Sequence, residues 1–228
     1  MFFIGQIYKP SEWRYKVGHV TRVMTIVTIL AVMSAGGVVA QQRVVAFGDS
    51  LTAGLGLPEA EGFVPRLEAW LQAEGLDVEV INAGLSGDTT AGGLARVAWV
   101  LDGGADLVIL ELGANDMLRG VSPALARQNL DAILAEITER GIKVLLAGML
   151  APPNFGAAYK VDFDAIYPDL AEKYSATLYP FFLQGLGAAQ GVDELVELMQ
   201  SDGIHPNAKG VGMIVEDIGP VVVEVLAK

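Results

Sequence analysis

The sequence contains no cysteine among its 228 residues. Disulfide bonds, thiolate metal sites and a cysteine nucleophile are therefore excluded. Histidine is nearly as scarce, with His19 and His205 as its two occurrences. Positive charge is also scarce, since 15 lysines and arginines stand against 27 aspartates and glutamates. Because an acidic surface repels phosphate backbones, we expect no nucleic-acid partner.

The first 40 residues differ in composition from the rest of the chain. Their basic residues are Lys9, Arg14, Lys16 and Arg22. An uncharged, mostly apolar run over residues 23–40 follows, which is typical of an export signal. Val38 and Ala40 suit positions −3 and −1 of a signal-peptidase site, so the mature chain is expected to begin at Gln41. An uncleaved anchor stays open, because this run is near the shortest that spans a bilayer, and so does a later start codon.

Removal of this leader would make the protein more acidic. The leader carries four basic residues and one acidic residue, so 11 basic and 26 acidic residues remain, with a net charge of about −15. His205 would then be the single histidine. We predict a signal peptide over residues 1–40, one domain over residues 41–228, and a periplasmic or secreted protein.

After Gln41, short β-branched runs alternate with amphipathic stretches, which predicts βαβ units around a parallel sheet. Strands are predicted at 44–47, 78–82, 107–111, 143–147 and 177–179. Helices are predicted over 62–74, over 123–140 with Ser122 as the cap, and over 208–226, where Pro220 is a weak point. Trp70 and Trp99 lie on the apolar faces of predicted helices and are predicted to be core residues.

Three polar turns follow the first three predicted strands, and a fourth motif precedes the last helix. They are Gly48-Asp49-Ser50-Leu51, Gly84-Leu85-Ser86-Gly87-Asp88, Gly113-Ala114-Asn115-Asp116 and Asp202-Gly203-Ile204-His205-Pro206. Each motif alone is commonly an ordinary turn or a helix cap. In a parallel sheet, however, functional residues gather beyond the carboxyl ends of the strands, so three of the motifs meet at one edge. Together the motifs predict a site.

The chemistry of these motifs favours nucleophilic catalysis by Ser50. A serine hydroxyl needs a base to take its proton, and the base needs an acceptor that holds its tautomer. His205 is the only imidazole of the mature chain, and Asp202 lies three residues before it. The candidate donors to an oxyanion are the backbone N–H groups of Ser50 and Gly87 and the side-chain amide of Asn115.

The four motifs resemble the conserved blocks of the SGNH (GDSL) hydrolase family. The matching residues are Phe47-Gly48-Asp49-Ser50-Leu51, Ser86-Gly87-Asp88-Thr89, Gly113-Ala114-Asn115-Asp116 and Asp202-Gly203-Ile204-His205-Pro206. Residues 111–113, 117–120, 151–156, 166–168 and 180–182 are also similar to a subfamily of periplasmic thioesterase, lysophospholipase and arylesterase enzymes. The resemblance covers residues 43–228. Ala114 is a departure, because that subfamily often has glycine there.

This resemblance implies a three-layer α/β/α fold of flavodoxin-like kind with a five-stranded parallel sheet. It implies a catalytic triad of Ser50, Asp202 and His205 and an oxyanion hole of Ser50, Gly87 and Asn115. The expected reaction is hydrolysis of a carboxylic ester or thioester through an acyl-enzyme, with no metal and no cofactor. We expect a monomer whose partner is a small acyl ester or a lysolipid.

Predictions for substrate contacts are less specific. They comprise Asp49, Leu150, Ala151, Pro152, Pro153 and Phe155. By resemblance, segment 150–159 would border the acyl pocket and move on binding, whereas a plain connecting loop is the open alternative. The carboxylates of Asp49 and Asp116 are interpreted as stabilising their turns rather than as catalytic groups, because aspartate accepts local backbone N–H groups.

Three rival functions remain open at this stage. A carbohydrate O-deacetylase would use the same triad. A metal-dependent phosphoesterase would use Asp49, Asp88, Asp116 and Asp202 as oxygen ligands of Mg²⁺. A non-catalytic binding module would give no reason for retaining every element of triad and hole. Because coenzyme A thioesters are cytosolic, lysophospholipids and aryl or short acyl esters are the expected substrates, and membrane contact is expected only through an uncleaved leader or a lipid substrate.

Overall fold

The structure is a computed structural model that describes residues 40–188 and 192–228. The predicted leader therefore lies outside the described residues, apart from Ala40, and its cleavage stays a prediction. Within the two described ranges, no helix has the length and apolar character needed to cross a membrane.

A five-stranded parallel sheet forms the centre of the described chain. Its strands are β1 (Gln42–Gly48), β2 (Val78–Gly84), β3 (Leu107–Glu111), β4 (Lys143–Ala147) and β5 (Thr177–Tyr179). The strand order is β2-β1-β3-β4-β5, and every neighbouring pair is parallel. This is the flavodoxin-like order, so the predicted fold class is confirmed.

Helices connect the strands and cover the sheet. They are α1 (Ser50–Ala53), α2 (Phe63–Ala73), α3 (Thr90–Val100), α4 (Ala114–Leu118), α5 (Pro123–Glu139), α6 (Ala157–Asp164), α7 (Ile166–Tyr174), α8 (Val192–Glu197) and α9 (Ala208–Leu226). Short 3₁₀ turns lie at Glu59–Glu61, Pro153–Phe155 and Gln184–Ala188.

The direction of each crossover explains the three layers. The chain steps from β1 to β2 in one direction and from β2 onward to β3, β4 and β5 in the other. Since such crossovers are right-handed, α2 lies on one face, whereas α3, α5 and α7 lie on the opposite face. The packing agrees, because α2 contacts α9 and α3 contacts α5, which in turn contacts α7.

The predicted bounds hold best where apolar runs end at turn residues. Strands β3, β4 and β5 and helix α9 have the predicted limits, and α9 continues through Pro220. In β1 and β3, residues 44–47 and 107–110 are fully buried, as expected of central parallel strands. Ser122 caps α5 by accepting the N–H of Leu125, with Pro123 at the first helical position.

The two tryptophan predictions have different outcomes. Trp70 packs against the core, and its ring lies on Gly219, where an added Cβ would come within 2.6 Å. Trp99 is 76% exposed, so its assignment to the core is wrong. Gly93 and Val97 lie on the buried face of helix α3, whereas Trp99 lies on its solvent-exposed face.

Candidate active site

Ser50 lies in the sharp turn from β1 into α1. Asp49 is the N-cap of this helix, and its Oδ1 accepts the backbone N–H of Leu51 at 3.0 Å. Ser50 is the first helical residue and is 8% exposed. Gly48 allows the turn to pack against β3, because a Cβ there would lie 2.6 Å from the carbonyl oxygen of Glu111.

The loop before α9 brings His205 to this serine. Nε2 of His205 lies 2.8 Å from Oγ of Ser50, and Nδ1 lies 2.7 Å from Oδ2 of Asp202. The other carboxylate oxygen of Asp202 accepts the backbone N–H groups of Ile204 at 2.9 Å and of His205 at 3.0 Å. The three side chains therefore form one continuous chain of hydrogen bonds.

The charge of Asp202 fixes the direction of that chain. Its hydrogen bond to the imidazole and the two backbone N–H groups lower its pKa below the ordinary range, so the carboxylate is ionised. An ionised carboxylate only accepts, which places the proton of His205 on Nδ1 and leaves Nε2 free to accept from Ser50.

Gly87 lies in the second turn, after β2. Its φ of 81° is in the left-handed region, which glycine adopts at little cost. Its carbonyl accepts a hydrogen bond from Nη2 of Arg119 at 2.7 Å. The neighbouring N–H of Leu85 donates to the carbonyl of Gly48 at 3.0 Å, so this turn is tied to the one that carries Ser50.

Asn115 joins the site from the third turn, after β3. Its Nδ2 donates to Oδ2 of Asp49 at 2.8 Å. A primary amide has two N–H bonds, so this contact orients the group and leaves one N–H for another acceptor. The first three predicted motifs therefore meet at the carboxyl edge of the sheet.

Comparison with known proteins decides the family. Residues 46–212 match the sequence profile of the GDSL-like Lipase/Acylhydrolase family. The chain belongs to this family. The predicted resemblance is thus confirmed, and with it the assignment as an ester hydrolase.

Individual relatives agree with this assignment. This chain is 42% identical over 182 residues to Esterase TesA of Pseudomonas aeruginosa. The match covers 79% of this chain and 88% of that protein. It is 38% identical over 196 residues to an Arylesterase of Vibrio mimicus, across 86% of this chain and 94% of that protein. A solved structure of AlinE4, an SGNH-hydrolase family esterase, is 50% identical, with a TM-score of 0.66 over 81% of this chain and 96% of that one.

A partly buried ion pair braces the turns of this GDSL-family hydrolase. Nε of Arg96 pairs with Asp88 at 2.7 Å. Its two terminal nitrogens donate to the carbonyls of Ala83 at 2.8 Å and of Gly48 at 2.9 Å, and its guanidinium lies 4.3 Å from the ring centroid of Phe47. Arg96 therefore joins the ends of β1 and β2. It carried no motif signal in the sequence.

Asp116 braces the third turn in a similar way. Its carboxylate accepts the backbone N–H of Thr90 at 2.7 Å and the hydroxyl at 2.6 Å. Asn129 of α5 donates to the same hydroxyl at 3.0 Å. These contacts tie α3, α4 and α5 together, in keeping with the interpretation of Asp116 as a structural carboxylate.

Glu111 is a buried acid that the sequence interpretation missed. It is the last residue of β3 and is fully buried. Its Oε2 accepts from the hydroxyl of Thr52 at 2.8 Å and from the backbone N–H of Asp49 at 3.2 Å. Burial, and then the charge of Asp49, raise its pKa well above the ordinary value. An acidic residue at the end of an otherwise apolar strand was the available signal.

The predicted substrate residues are divided between surface and core. Leu150, Pro152 and Pro153 are exposed, and Phe155 is half-buried with its ring 5.5 Å from that of Tyr159. Ala151 is buried, and its N–H donates to Oδ1 of Asp164 at 2.8 Å. Asp49 is also buried, with one carboxylate oxygen bound to Leu51 and the other to Asn115, so it lies behind the turn of Ser50.

A large apolar cavity lies beside the loop of Asp202. Its volume is about 790 Å³, and its lining includes Leu186, Leu195, Met199 and Gly203. Neither Ser50 nor His205 lines it, so the reacting carbonyl of a substrate has no place there.

The four aspartates of the metal hypothesis do not form a cluster. Among the described residues, no group of three or more His, Cys, Asp or Glu side chains is arranged to hold a metal ion. Asp88 binds Arg96, Asp116 binds Thr90, and Asp202 binds His205. The metal-dependent phosphoesterase therefore lacks its ligand set in this part of the chain.

Proposed function

We propose that this hydrolase cleaves esters by two-step acyl transfer, with Ser50 as nucleophile, His205 as general base and acid, and Asp202 as the residue that orients the imidazole. The hydrogen-bonded sequence from Asp202 through His205 to Ser50, at 2.7 and 2.8 Å, carries this proposal. It supplies a nucleophile, a base in reach of its proton and a fixed tautomer, which are the requirements for activating a serine.

In the first step, Oγ of Ser50 attacks the carbonyl carbon while its proton moves to Nε2 of His205. The tetrahedral intermediate then breaks its bond to the leaving oxygen or sulfur, which receives that proton. A water molecule repeats the sequence on the acyl-enzyme, so the products are the acid and the alcohol or thiol, and Ser50 regains its proton.

The negative oxygen of the intermediate needs donors that are already in place. We assign this role to the backbone N–H groups of Ser50 and Gly87 and to the free N–H of Asn115. Each such donor typically lowers the barrier by about 3 kcal/mol. The hydrogen bonds that tie the three turns together support this assignment, because they fix the donors before substrate arrives.

For the substrate class, we propose aryl and short acyl esters together with lysophospholipids. Relatives named as an esterase and as an arylesterase support the ester class. Thioesters are chemically competent substrates, but coenzyme A thioesters would be absent from an exported protein's compartment. Product analysis on acetylated sugars against lysophospholipid would separate these substrates from carbohydrate deacetylation.

Export itself belongs to this proposal, with residues 1–40 as a cleaved signal and residues 41–228 as the hydrolase domain. The composition of the leader supports it, since four basic residues precede an uncharged apolar run. N-terminal sequencing of the protein from a periplasmic or secreted fraction should begin at Gln41. An intact N-terminus recovered with membranes would contradict cleavage.

The replacement Ser50→Ala tests the nucleophile. It should reduce kcat on p-nitrophenyl butyrate by about 10⁶-fold, the loss expected when a triad loses its nucleophile, and leave thermal unfolding nearly unchanged. The matched control is Ser122→Ala, which removes the cap of α5 and should cost about 1 kcal/mol of stability with full activity. Activity retained by Ser50→Ala would reject the assignment.

A further inference from the structure

Glu111 lies beside the nucleophile turn, on the strand next to it. In the pairing of β1 with β3 it is the partner of Gly48, the residue before Asp49. We infer that Glu111 is a positioning residue: as a neutral carboxylic acid it holds the turn of Ser50 and, through Asp49, aims the amide of Asn115 at the oxyanion. This inference rests on the proposed function, because it concerns how that site is held.

The first link joins Glu111 to both sides of the nucleophile. Its Oε2 accepts the backbone N–H of Asp49, which precedes Ser50, and the hydroxyl of Thr52, which follows it. Thr52 is 1% exposed and Glu111 is fully buried, so solvent does not compete for these bonds. One carboxyl oxygen therefore holds the backbone before Ser50 and a side chain after it.

The second link runs from Asp49 to the oxyanion hole. The backbone of Asp49 is held by Glu111, and its Oδ1 is held by the N–H of Leu51 at 3.0 Å. Its Oδ2 then accepts from Nδ2 of Asn115 at 2.8 Å. The orientation of the Asn115 amide is thus set by a residue whose own position depends on Glu111.

The surroundings of Glu111 favour its neutral form. No ion pair in the described part of the chain involves it, and its Oε1 has no protein partner there. A buried carboxylate without a cation is costly. The raised pKa of Glu111, due first to burial, agrees with this geometry.

The titratable groups around Glu111 are mostly acids. Asp49 lies on the nucleophile turn, Tyr167 of α7 donates to the carbonyl of Leu112 at 2.9 Å, and Asp116 of α4 acts on the same tyrosine. Arg96 reaches the carbonyl of Gly48, but its hydrogen bonds go to Asp88 and to backbone carbonyls rather than to Glu111. A second buried anion beside Asp49 would also oppose the charge that forms on the oxyanion, whereas a neutral acid would not.

A pair of near-isosteric replacements tests the role. Glu111→Gln keeps a neutral side chain whose carbonyl oxygen can accept from Asp49 and Thr52, so kcat on p-nitrophenyl butyrate at pH 7 should stay within about threefold of wild type. Glu111→Leu has a similar volume but no acceptor. Its kcat should fall by about 10²-fold with KM nearly unchanged, since the lost alignment acts on the transition state.

A stability control separates positioning from packing. Ile137→Ala removes a fully buried side chain from α5, away from the site, and should lower Tm while kcat stays at the wild-type value. If Glu111→Leu keeps wild-type kcat, Glu111 is only a core residue and the inference fails. If Glu111→Gln loses as much kcat as Glu111→Leu, the charge is required and the neutral form is rejected.

Thr52, which donates its hydroxyl to Glu111, provides a second test in case Glu111→Leu does not fold. Thr52→Ser keeps the hydroxyl that donates to Glu111, whereas Thr52→Val removes it with little change in volume. The valine variant should lose several-fold in kcat and the serine variant should not; equal activity of the two would overturn the inference. Ser50→Ala, measured in parallel, reports on the proposed nucleophile independently of these variants.

Discussion

Two carboxyl groups hold the surroundings of Ser50, Asp202 through His205 and Glu111 through Asp49 and Thr52, and their environments differ. Asp202 lies on the loop before α9, and its side chain is 44% exposed. Glu111 ends a central strand and is fully buried. Hydrogen bonds from His205 and two backbone N–H groups lower the pKa of Asp202, whereas burial raises that of Glu111.

The contrast shows how one residue type serves two purposes. An exposed carboxylate surrounded by donors stays ionised and therefore acts as an acceptor that orients an imidazole. A buried carboxyl next to another acid keeps its proton and serves as a neutral anchor for backbone and hydroxyl groups. The same chemical change, from carboxyl to amide, should therefore reduce activity strongly at Asp202 and hardly at all at Glu111.

Asp202→Asn should produce the larger effect. The amide oxygen can remain with the backbone N–H groups of Ile204 and His205, which turns the amide nitrogen toward Nδ1 of the imidazole. Nδ1 must then accept, the proton moves to Nε2, and Nε2 can no longer take the proton of Ser50. We expect kcat/KM on p-nitrophenyl butyrate to fall by about 10⁴-fold, compared with at most threefold for Glu111→Gln.

A suitable control for this replacement is Asp102→Asn. Asp102 is exposed in the turn that leads into β3, at the opposite edge of the sheet from Ser50, and its change should leave kcat/KM unchanged. A loss of less than tenfold for Asp202→Asn would mean that the imidazole keeps its tautomer without the carboxylate, and the contrast between the two acids would disappear.

Much of the fold was predictable because local patterns and global packing agree. The β-branched runs of β3, β4 and β5 end at turn residues, and their predicted limits are those observed. Trp99 shows where this approach fails. Its helix is short and rich in alanine and glycine, so its inward face is defined by the neighbouring elements rather than by its own periodicity.

The contact between Ser50 and His205 was predictable for a different reason. The predicted mature chain has one histidine, so a serine nucleophile that uses an imidazole base must pair with His205. Glu111 was not predictable in this way. Its burial depends on the turn of Gly48, on Thr52 and on Asp49, which are distant from it in sequence and adjacent only through the pairing of β1 with β3. A carboxyl group's protonation follows from such packing, which no local pattern encodes.

The smallest expected effect is on stability, and it tests the protonation of Glu111 directly. A carboxyl group whose pKa is raised on folding contributes stability that is complete below its unfolded value, about 4.5, and is lost as the pH rises toward the folded value. Glutamine does not titrate. The free energy of unfolding of Glu111→Gln should therefore increase relative to wild type as the pH rises above about 4.5, by at most about 1.4 kcal/mol per pH unit.

Urea denaturation of both proteins between pH 5 and pH 8 measures this difference. Asp49 and Glu111 act on each other's pKa, so the difference between the two proteins reports the titration of this buried pair. Asp202 has the opposite shift, so its contribution is lost only at pH values below about 3.8, outside this window. A difference that is constant from pH 5 to pH 8 would show that Glu111 titrates as in the unfolded chain, and the two carboxyl groups beside Ser50 would then carry the same charge.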